Sequence, residues 1–255
     1  MRGLITLAIG FAAVAGCGTG GSGGSAAAPP PSAPSGGGTA PAGSSATSSP
    51  AAPPSSYGAK QRSAKRVPFA ARVQPIPSRA TLRYSWHPGC PVPISGLRLI
   101  RMTYWGFDKR PHQGQMVVNA RVSRDIVKVF KRLYAAHYPI RRMELVDKYK
   151  GSDFDSIEAD NTSAFNCRNA TGSSSWSQHA YGLAVDLNTC ENPYVTSAGD
   201  VAHKHCVKYR DRSRHDPGVV HKGDVVYRTF TAIGWGWGGL WNGDRDYQHF
   251  SSSGR

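Results

Sequence analysis

Side chains suited to binding zinc occur in two short stretches of the 255-residue chain. The stretch SQHAYGLAVD contains His179 and Asp186, and the later stretch DYQHF contains Asp246 and His249. Taken singly, each of these residues is more often structural than functional. Two histidines with one aspartate, however, form the three-ligand set of a catalytic zinc site, in which water takes the fourth position. The combination predicts zinc on His179, Asp186 and His249.

A carboxylate beside this set is the candidate general base. Asp246 precedes His249 by three residues, and a nearby carboxylate can take the proton of a zinc-activated water during attack on a carbonyl. On one straight strand Asp246 and His249 would point to opposite faces, so this role requires a turn between them. Asp244 is the alternative base.

The segment LAVDLN predicts the strand that aims Asp186. Alternation places Leu183, Val185 and Leu187 on a core face, and it places Asp186 on the opposite face beside the small Ala184. Gly182, which lies just before this segment, favours a turn that brings His179 towards Asp186.

The other elements predict an α+β domain. Residues 97–121 are typical of a hairpin with KRPHQG (109–114) as its turn, and residues 140–149 are strand-like. One helix is predicted from a Ser123 cap, with Asp125 in its first turn, to Ala136 before Pro139. A second helix is predicted from an Asp224 cap to Gly234. Strands and helices alternate without regular βαβ spacing, which indicates α+β.

The N-terminal segment is typical of an exported protein. Met1 and Arg2 precede an apolar run, residues 3–16, that is too short to span a bilayer comfortably. The run ends in VAGC, which resembles a bacterial lipobox and predicts lipidation of Cys17; Ala13-Val14-Ala15 offers ordinary signal cleavage instead. Residues 18–56 are Gly, Ser, Ala, Thr or Pro only and predict a disordered tether. Residues 57–255 form the predicted domain.

The number of cysteines, five, is consistent with an exported protein. Lipid on Cys17 leaves Cys90, Cys167, Cys190 and Cys206, which allow three disulfide pairings in an oxidising environment. We favour Cys90–Cys167 and Cys190–Cys206. The alternative is a metal cluster that joins HKHC (203–206) to Cys190, although the paired CxxC spacing of a structural zinc site is missing.

The charge is strongly basic. Residues 58–255 contain 30 of the 31 Lys and Arg and all 16 acids, a formal charge of +14. Basic groups such as KQRSAKR (60–66) attract polyanions, but no nucleic-acid-binding motif accompanies them. An anionic cell wall or membrane surface explains the charge equally well, and a solvated basic face is the default interpretation. We expect no nucleic-acid partner.

The stretch SQHAYGLAVD resembles the SxHxxGxAxD signature of the M15-type zinc D-Ala-D-Ala carboxypeptidases and L-alanyl-D-glutamate endopeptidases (VanY-like). The segments DNTSAFNCR (160–168), ENPYV (191–195), GWGWGGLW and DYQHF look closest to the endopeptidase-like branch. The resemblance covers roughly residues 90–250 and implies a Hedgehog/DD-peptidase-like single domain whose antiparallel sheet carries the zinc site.

Residue by residue, the resemblance implies Zn²⁺ on His179, Asp186 and His249. It also implies that Arg168 stabilises the oxyanion and that Ser177 supports the site by hydrogen bonding. The sequence departs from the family at Asp246, where many relatives carry Glu. This difference affects the assignment of the base.

The function implied is hydrolysis of peptidoglycan stem peptides next to D-amino acids, by a monomer anchored through lipid to the outer face of the cytoplasmic membrane, or secreted without lipid. Two substrates remain open: a terminal D-Ala, or the bond between L-Ala and D-Glu. A non-catalytic wall-binding lipoprotein on the same zinc fold is the alternative function. Trp235, Trp237 and Trp241 are expected to pack in the core, with a sugar-stacking platform as the second interpretation.

Overall fold

The computed structural model describes residues 67–255. The predicted signal peptide (1–17) with Cys17, the predicted tether (18–56) and the basic run 60–66 lie outside the described residues, so these remain predictions. No helix within residues 67–255 is long and apolar enough to cross a membrane.

The larger sheet has four strands. Strands β1 (Ala71–Pro75), β2 (Leu97–Gly106) and β3 (Pro111–Asn119) pair antiparallel in that order, and β4 (Pro139–Ile140) pairs parallel with the end of β2. The hairpin is confirmed, but its turn lies earlier than predicted. His112 and Gln113 pair with β2 instead of belonging to the turn, because the long antiparallel register satisfies their backbone groups.

Helix α1 (Ser123–Ala135) follows this hairpin. Its apolar face, which includes Ile126 and Phe130, is buried as the sequence predicted. The predicted Ser123 cap is wrong: the Ser123 hydroxyl donates to the Ala120 carbonyl at 2.9 Å. A single 3-10 turn (Ala120–Val122) precedes the helix, and Asn119 caps that turn instead.

The middle of the chain departs further from the prediction. The strand-like segment 140–149 contributes β5 (Arg142–Met143), which pairs parallel with β6 (Asn161–Thr162). The segment then tightens into a 3-10 turn over Val146–Tyr149. Helix α2 (Asp153–Glu158), which the sequence analysis did not predict, begins at a Ser152 cap.

The C-terminal part forms two smaller sheets. They are built from β7 (Ala184–Asp186), β8 (Tyr194–Val195), β9 (Gly236–Trp237), β10 (Arg245–Asp246) and β11 (His249–Ser251). One sheet has the order β7-β11-β9 and the other pairs β8 with β10, and every pairing in both is antiparallel.

Helix α3 (Val225–Thr231) packs against this region. The Asp224 cap is confirmed, because its carboxylate accepts from the Tyr227 backbone N at 2.7 Å. The helix ends three residues before the predicted Gly234.

One core joins the layers. Ile100 of β2, Phe130 of α1, Val185 of β7, Phe230 of α3 and Phe250 of β11 belong to the same buried cluster. Burying such side chains stabilises the fold by roughly 1.5–3 kcal/mol each. The mixture of helices and mainly antiparallel strands confirms the α+β class.

Candidate metal centre

Three predicted ligands converge in the buried interior. His179, Asp186 and His249 are each at most 5% exposed and offer ligand atoms within 4.8 Å of one another. His179 Nε2 lies 3.1 Å from Asp186 Oδ2, and His249 Nδ1 lies 3.2 Å from Asp186 Oδ1. The two imidazole nitrogens are themselves 3.2 Å apart. Each imidazole nitrogen therefore contacts a different oxygen of the Asp186 carboxylate, and the nitrogens also contact each other; these three residues are called the triangle below.

Strand register places two of the three residues. In the antiparallel pair β7–β11, His249 stands directly opposite Asp186, which brings cross-strand side chains within contact distance. Strand β7 is also held on its other side, where Asp186 and Ser163 exchange two backbone hydrogen bonds of 2.9 and 3.0 Å.

A short turn positions the third residue. His179 lies in the 3-10 turn Gln178–Tyr181, where its backbone N donates to the Ser177 hydroxyl at 3.2 Å. Gly182 ends this turn at φ +64°, and a Cβ there would lie 2.6 Å from the Asn119 backbone N. Only glycine fits this close approach, so Gly182 allows the chain to pass from His179 into β7.

The triangle fits zinc. At Zn–N and Zn–O distances of about 2.0–2.1 Å, tetrahedral ligands stand about 3.3 Å apart. The two nitrogens are 3.2 Å apart, and each lies 3.1–3.2 Å from one oxygen of the Asp186 carboxylate, which is close to that separation. His179 Nδ1 donates to the Ala164 carbonyl at 2.5 Å, which leaves Nε2 free to bind a metal. Such a second hydrogen bond is the usual support of a ligating histidine.

Electrostatics within the triangle keep the Asp186 carboxylate ionised. Burial opposes ionisation of Asp186, but the charge of His179, together with hydrogen bonds from His179 and His249, holds its pKa well below the usual range. The pKa of His179 is raised by Asp186 despite burial. The carboxylate is therefore ionised, as a metal ligand must be.

Asp246 lies next to this triangle. It ends β10, and Tyr247 and Gln248 separate it from β11, so the turn required by the sequence analysis is present. Burial raises the pKa of Asp246 to about 7, and the negative charge of Asp186 acts in the same direction. A carboxyl group with a pKa near neutrality suits proton transfer.

Gly238 makes room for this carboxylate. A Cβ at Gly238 would lie 2.4 Å from the Asp246 carbonyl oxygen and 2.9 Å from the Asp246 Cβ. Gly238 of GWGWGGLW therefore has a local reason: the chain after β9 passes directly over Asp246 at the end of β10.

Arg168 lies on the side of the site formed by α2. Its guanidinium Nη2 is 2.8 Å from Asp153 Oδ2, and its Nη1 donates to the Asn169 carbonyl. The charge of Arg168 opposes the net rise in the pKa of both His179 and Asp246, which puts it within electrostatic reach of both. The sequence analysis missed Asp153, since neither its spacing nor its composition distinguishes it from a solvated helix residue.

Unsatisfied polar atoms concentrate here. Within residues 67–255, five buried side-chain atoms have no hydrogen-bond partner, and three of them are Arg168 Nε, Asp246 Oδ1 and His249 Nε2. Buried polar groups are rarely left unpaired. Their clustering around the triangle is expected where a site is completed by an ion, water or substrate.

The alternative base, Asp244, has a structural role. Its Oδ1 accepts from the Ser197 backbone N at 2.7 Å, and its Oδ2 accepts from the Tyr194 hydroxyl. Both oxygens are thus used to tie the β8–β10 pair to the following loop.

Both predicted disulfides are present, between Cys90 and Cys167 and between Cys190 and Cys206. The alternative metal cluster is therefore wrong, because its thiols are joined to each other. His203 and His205 contact Glu158 instead, at 2.5 and 3.1 Å.

The burial of the tryptophans agrees with the prediction that they pack in the core. Trp235 and Trp237 are 4% and 5% exposed, so neither offers a face to a ligand. Trp241 is partly buried, donates from Nε1 to the Gly254 carbonyl at 2.6 Å and lies beside His249, with ring centres 5.5 Å apart.

Polar residues of the segment ENPYV (191–195) stabilise the chain that follows β7 through hydrogen bonds. The Asn192 carboxamide accepts from the Val220 backbone N at 2.8 Å and from Arg212 at 3.1 Å, and it donates to the Leu187 carbonyl at 3.1 Å. Burial raises the pKa of the neighbouring Glu191 to about 8, with the charge of Asp160 adding to the effect.

Among known families, the model described as D-alanyl-D-alanine carboxypeptidase matches residues 171–252. The matched segment contains the triangle, Ser177 and Asp246, while Arg168 lies just before it. No curated protein and no solved structure matches the chain significantly.

Proposed function

We propose that this chain is a zinc metallopeptidase with a Hedgehog/DD-peptidase-like fold, because the family match over residues 171–252 supports membership of the M15-type peptidases. Its substrates would be peptidoglycan stem peptides, cleaved at amide bonds next to D-amino acids. The family match supports a peptidase, and the site supports the metal-dependent class.

One observation carries this proposal. The nitrogen and oxygen atoms of His179, Asp186 and His249 form a triangle of zinc-like dimensions, and Asp246 lies beside it with a pKa near neutrality. Structural zinc sites close with four protein ligands, whereas three ligands and a neighbouring acid suit catalysis.

His179, Asp186 and His249 would hold the ion. Bound zinc would supply Lewis acidity, which lowers the pKa of water and polarises a carbonyl. Asp246 Oδ1, which is buried and without a partner, would accept the proton of the attacking water and return it to the leaving amine.

Arg168 would stabilise negative charge on the scissile carbonyl oxygen. A guanidinium in a partly buried site is effective because less water screens its charge. Its ion pair with Asp153 fixes one edge of the guanidinium and leaves Nε, which is buried without a partner, available to the substrate.

Two reactions fit this site. The enzyme either removes a terminal D-Ala or cleaves between L-Ala and D-Glu. The description of the matched family favours the carboxypeptidase, while the resemblance of the flanking segments favours the endopeptidase. A third possibility is a non-catalytic wall-binding lipoprotein on the same fold. The presence of both Asp246 and Arg168 disfavours it.

The test is digestion of purified muropeptides of known structure by the zinc-loaded protein, with products identified by mass. Release of free D-Ala indicates the carboxypeptidase, and loss of the stem beyond L-Ala indicates the endopeptidase. Asp246→Asn is expected to abolish either product while retaining zinc. Asp244→Asn is the matched control, since that carboxylate is already occupied by Tyr194 and Ser197. Absence of both products from the zinc-loaded wild type would refute the peptidase proposal.

We further propose that residues 1–17 direct export and that Cys17 is lipidated, with residues 18–56 as a tether into the wall. Expression of wild type and Cys17→Ala in a bacterium that processes lipoproteins tests this. The wild-type protein should partition with membranes and gain the mass of a diacylglycerol, whereas the variant should do neither.

A further inference from the structure

A groove of about 620 Å³ lies away from the metal centre. It is formed by the first described residues, the turn between β2 and β3, and the exposed side of α1. None of the residues that line it belongs to the proposed peptidase machinery. The lining residues are Val67, Pro68, Phe69, Trp105, Lys109, Arg110, Pro111, Lys131, Tyr134, Ala135 and His137.

Aromatic rings form the wall of this groove. The Trp105 and His137 rings stack at 4.2 Å between centroids, and Tyr134 meets Trp105 edge-on at 6.1 Å. Phe69 lies 5.8 Å from Tyr134. The rings hold one another in place, so a ligand would meet flat apolar surface at small entropic cost.

Cations border this wall. Lys109 and Arg110 on the turn and Lys131 on α1 are all exposed. Among the described residues that line the groove, none is acidic. Asp108 on the same turn is already engaged, with His112 Nε2 at 2.9 Å and the Arg110 backbone N at 3.2 Å. The groove therefore presents a positive border around an apolar wall.

We propose that this groove binds a polysaccharide that carries carboxylate groups. Pyranose rings present an apolar C–H face that stacks on aromatic rings, and the carboxylates would pair with Lys109, Arg110 and Lys131. Such a site would hold the protein on an anionic polymer while the metal centre acts elsewhere.

The chain itself is a poor occupant of the groove. The Tyr134 hydroxyl donates to the Val67 carbonyl at 2.6 Å, which holds Val67 beside the groove. The sequence that precedes Val67, KQRSAKR (60–66), is strongly basic. Like charges would repel this segment from the three cations.

The test is titration of the full chain with hexasaccharide probes, followed by tryptophan fluorescence and calorimetry. Hyaluronan hexasaccharide supplies N-acetylated sugar rings with carboxylates, chitohexaose supplies similar rings without charge, and poly-Glu supplies carboxylates without sugar rings. A single-stranded DNA hexamer tests nucleic acid as the occupant. We expect hyaluronan to bind at least tenfold tighter than the other three probes and more weakly as salt rises.

Matched variants distinguish binding in the groove from a general effect of the protein's net charge. Lys109→Glu combined with Arg110→Glu should weaken hyaluronan binding at least tenfold. Lys204→Glu combined with Lys208→Glu changes the net charge equally at exposed positions outside the groove and should leave binding within twofold. Equal weakening by both pairs, equal affinity for any of the other probes, or no binding of hyaluronan would overturn the proposal. Circular dichroism should confirm that all variants are folded.

Discussion

Gly238→Ala offers a sharp test of how the site positions its base. The added methyl carbon would lie 2.4 Å from the Asp246 carbonyl oxygen, whereas ordinary contact begins at about 3.4 Å. The backbone at Asp246 must therefore retreat by about 1 Å. The three atoms nearest to this methyl all belong to Asp246, so the base should move more than the ligands His179, Asp186 and His249.

The expected magnitude follows from that displacement. A shift of about 1 Å in a reacting group can reduce the rate roughly 100-fold, equivalent to about 2.7 kcal/mol in the activation free energy. The overpacking itself should lower the free energy of unfolding by about 1–3 kcal/mol. Zinc content should stay at the wild-type level.

The assay compares kcat and KM on a muropeptide with zinc bound per chain and with denaturant unfolding. Gly96→Ala is the control, because its new methyl would lie 3.0 Å from a Val92 methyl group and 3.8 Å from the Pro93 ring, far from the site in sequence. If Gly238→Ala retains wild-type kcat while Gly96→Ala does too, the close approach of Gly238 to Asp246 does not position a catalytic group.

Three further predictions concern the same region. The raised pKa of Asp246 means that the folded metal-free protein holds a proton that the unfolded chain releases, so its free energy of unfolding should fall as pH rises from about 4 to 7, and Asp246→Asn should remove this slope in denaturant titrations. Asp153→Asn frees the Arg168 guanidinium from its 2.8 Å ion pair and should lower kcat about tenfold with zinc affinity unchanged, as measured by chelator competition; a structural role for Asp153 would instead change stability alone. Replacing both cysteines of the 16-residue Cys190–Cys206 loop by Ala should cost about 3 kcal/mol in unfolding experiments, and an unchanged transition would contradict the disulfide.

Local sequence predicted the elements whose signal is periodic or chemical. The apolar face of α1 and the alternation of LAVDLN need only side-chain spacing, and Asp224 caps α3 as its residue type suggests. The Ser123 cap failed because a preceding 3-10 turn, capped by Asn119, moved the start of ordered turns three residues upstream. Competition between neighbouring caps is decided by packing rather than by residue type.

In the candidate site, too, the sequence indicates the residue types, whereas the fold determines which residues come together. The ligand types were readable from the sequence, but their convergence depends on the β7–β11 register, which pairs residues 63 positions apart. Asp153 reaches Arg168 through the placement of a six-residue helix, which is too short for a periodic apolar pattern to predict it. Ala164 acts through its backbone carbonyl, which every residue type possesses, so no sequence pattern identifies it.

Each corner of the triangle is held by a different kind of restraint. Asp186 and His249 are fixed by strand pairing, and His179 is fixed by a capped turn and by the Ala164 carbonyl. These restraints come from the fold, so the ligand atoms stand at metal-like separations through protein contacts alone. An ion entering this triangle would pay little reorganisation cost, which favours tight binding. Asp246 Oδ1 and Arg168 Nε, on the groups proposed for proton transfer and charge stabilisation, are instead buried without hydrogen-bond partners, as is the second ring nitrogen of His249. Buried polar atoms are rarely left unpaired, and groups that must change partners during a reaction are where such atoms are expected.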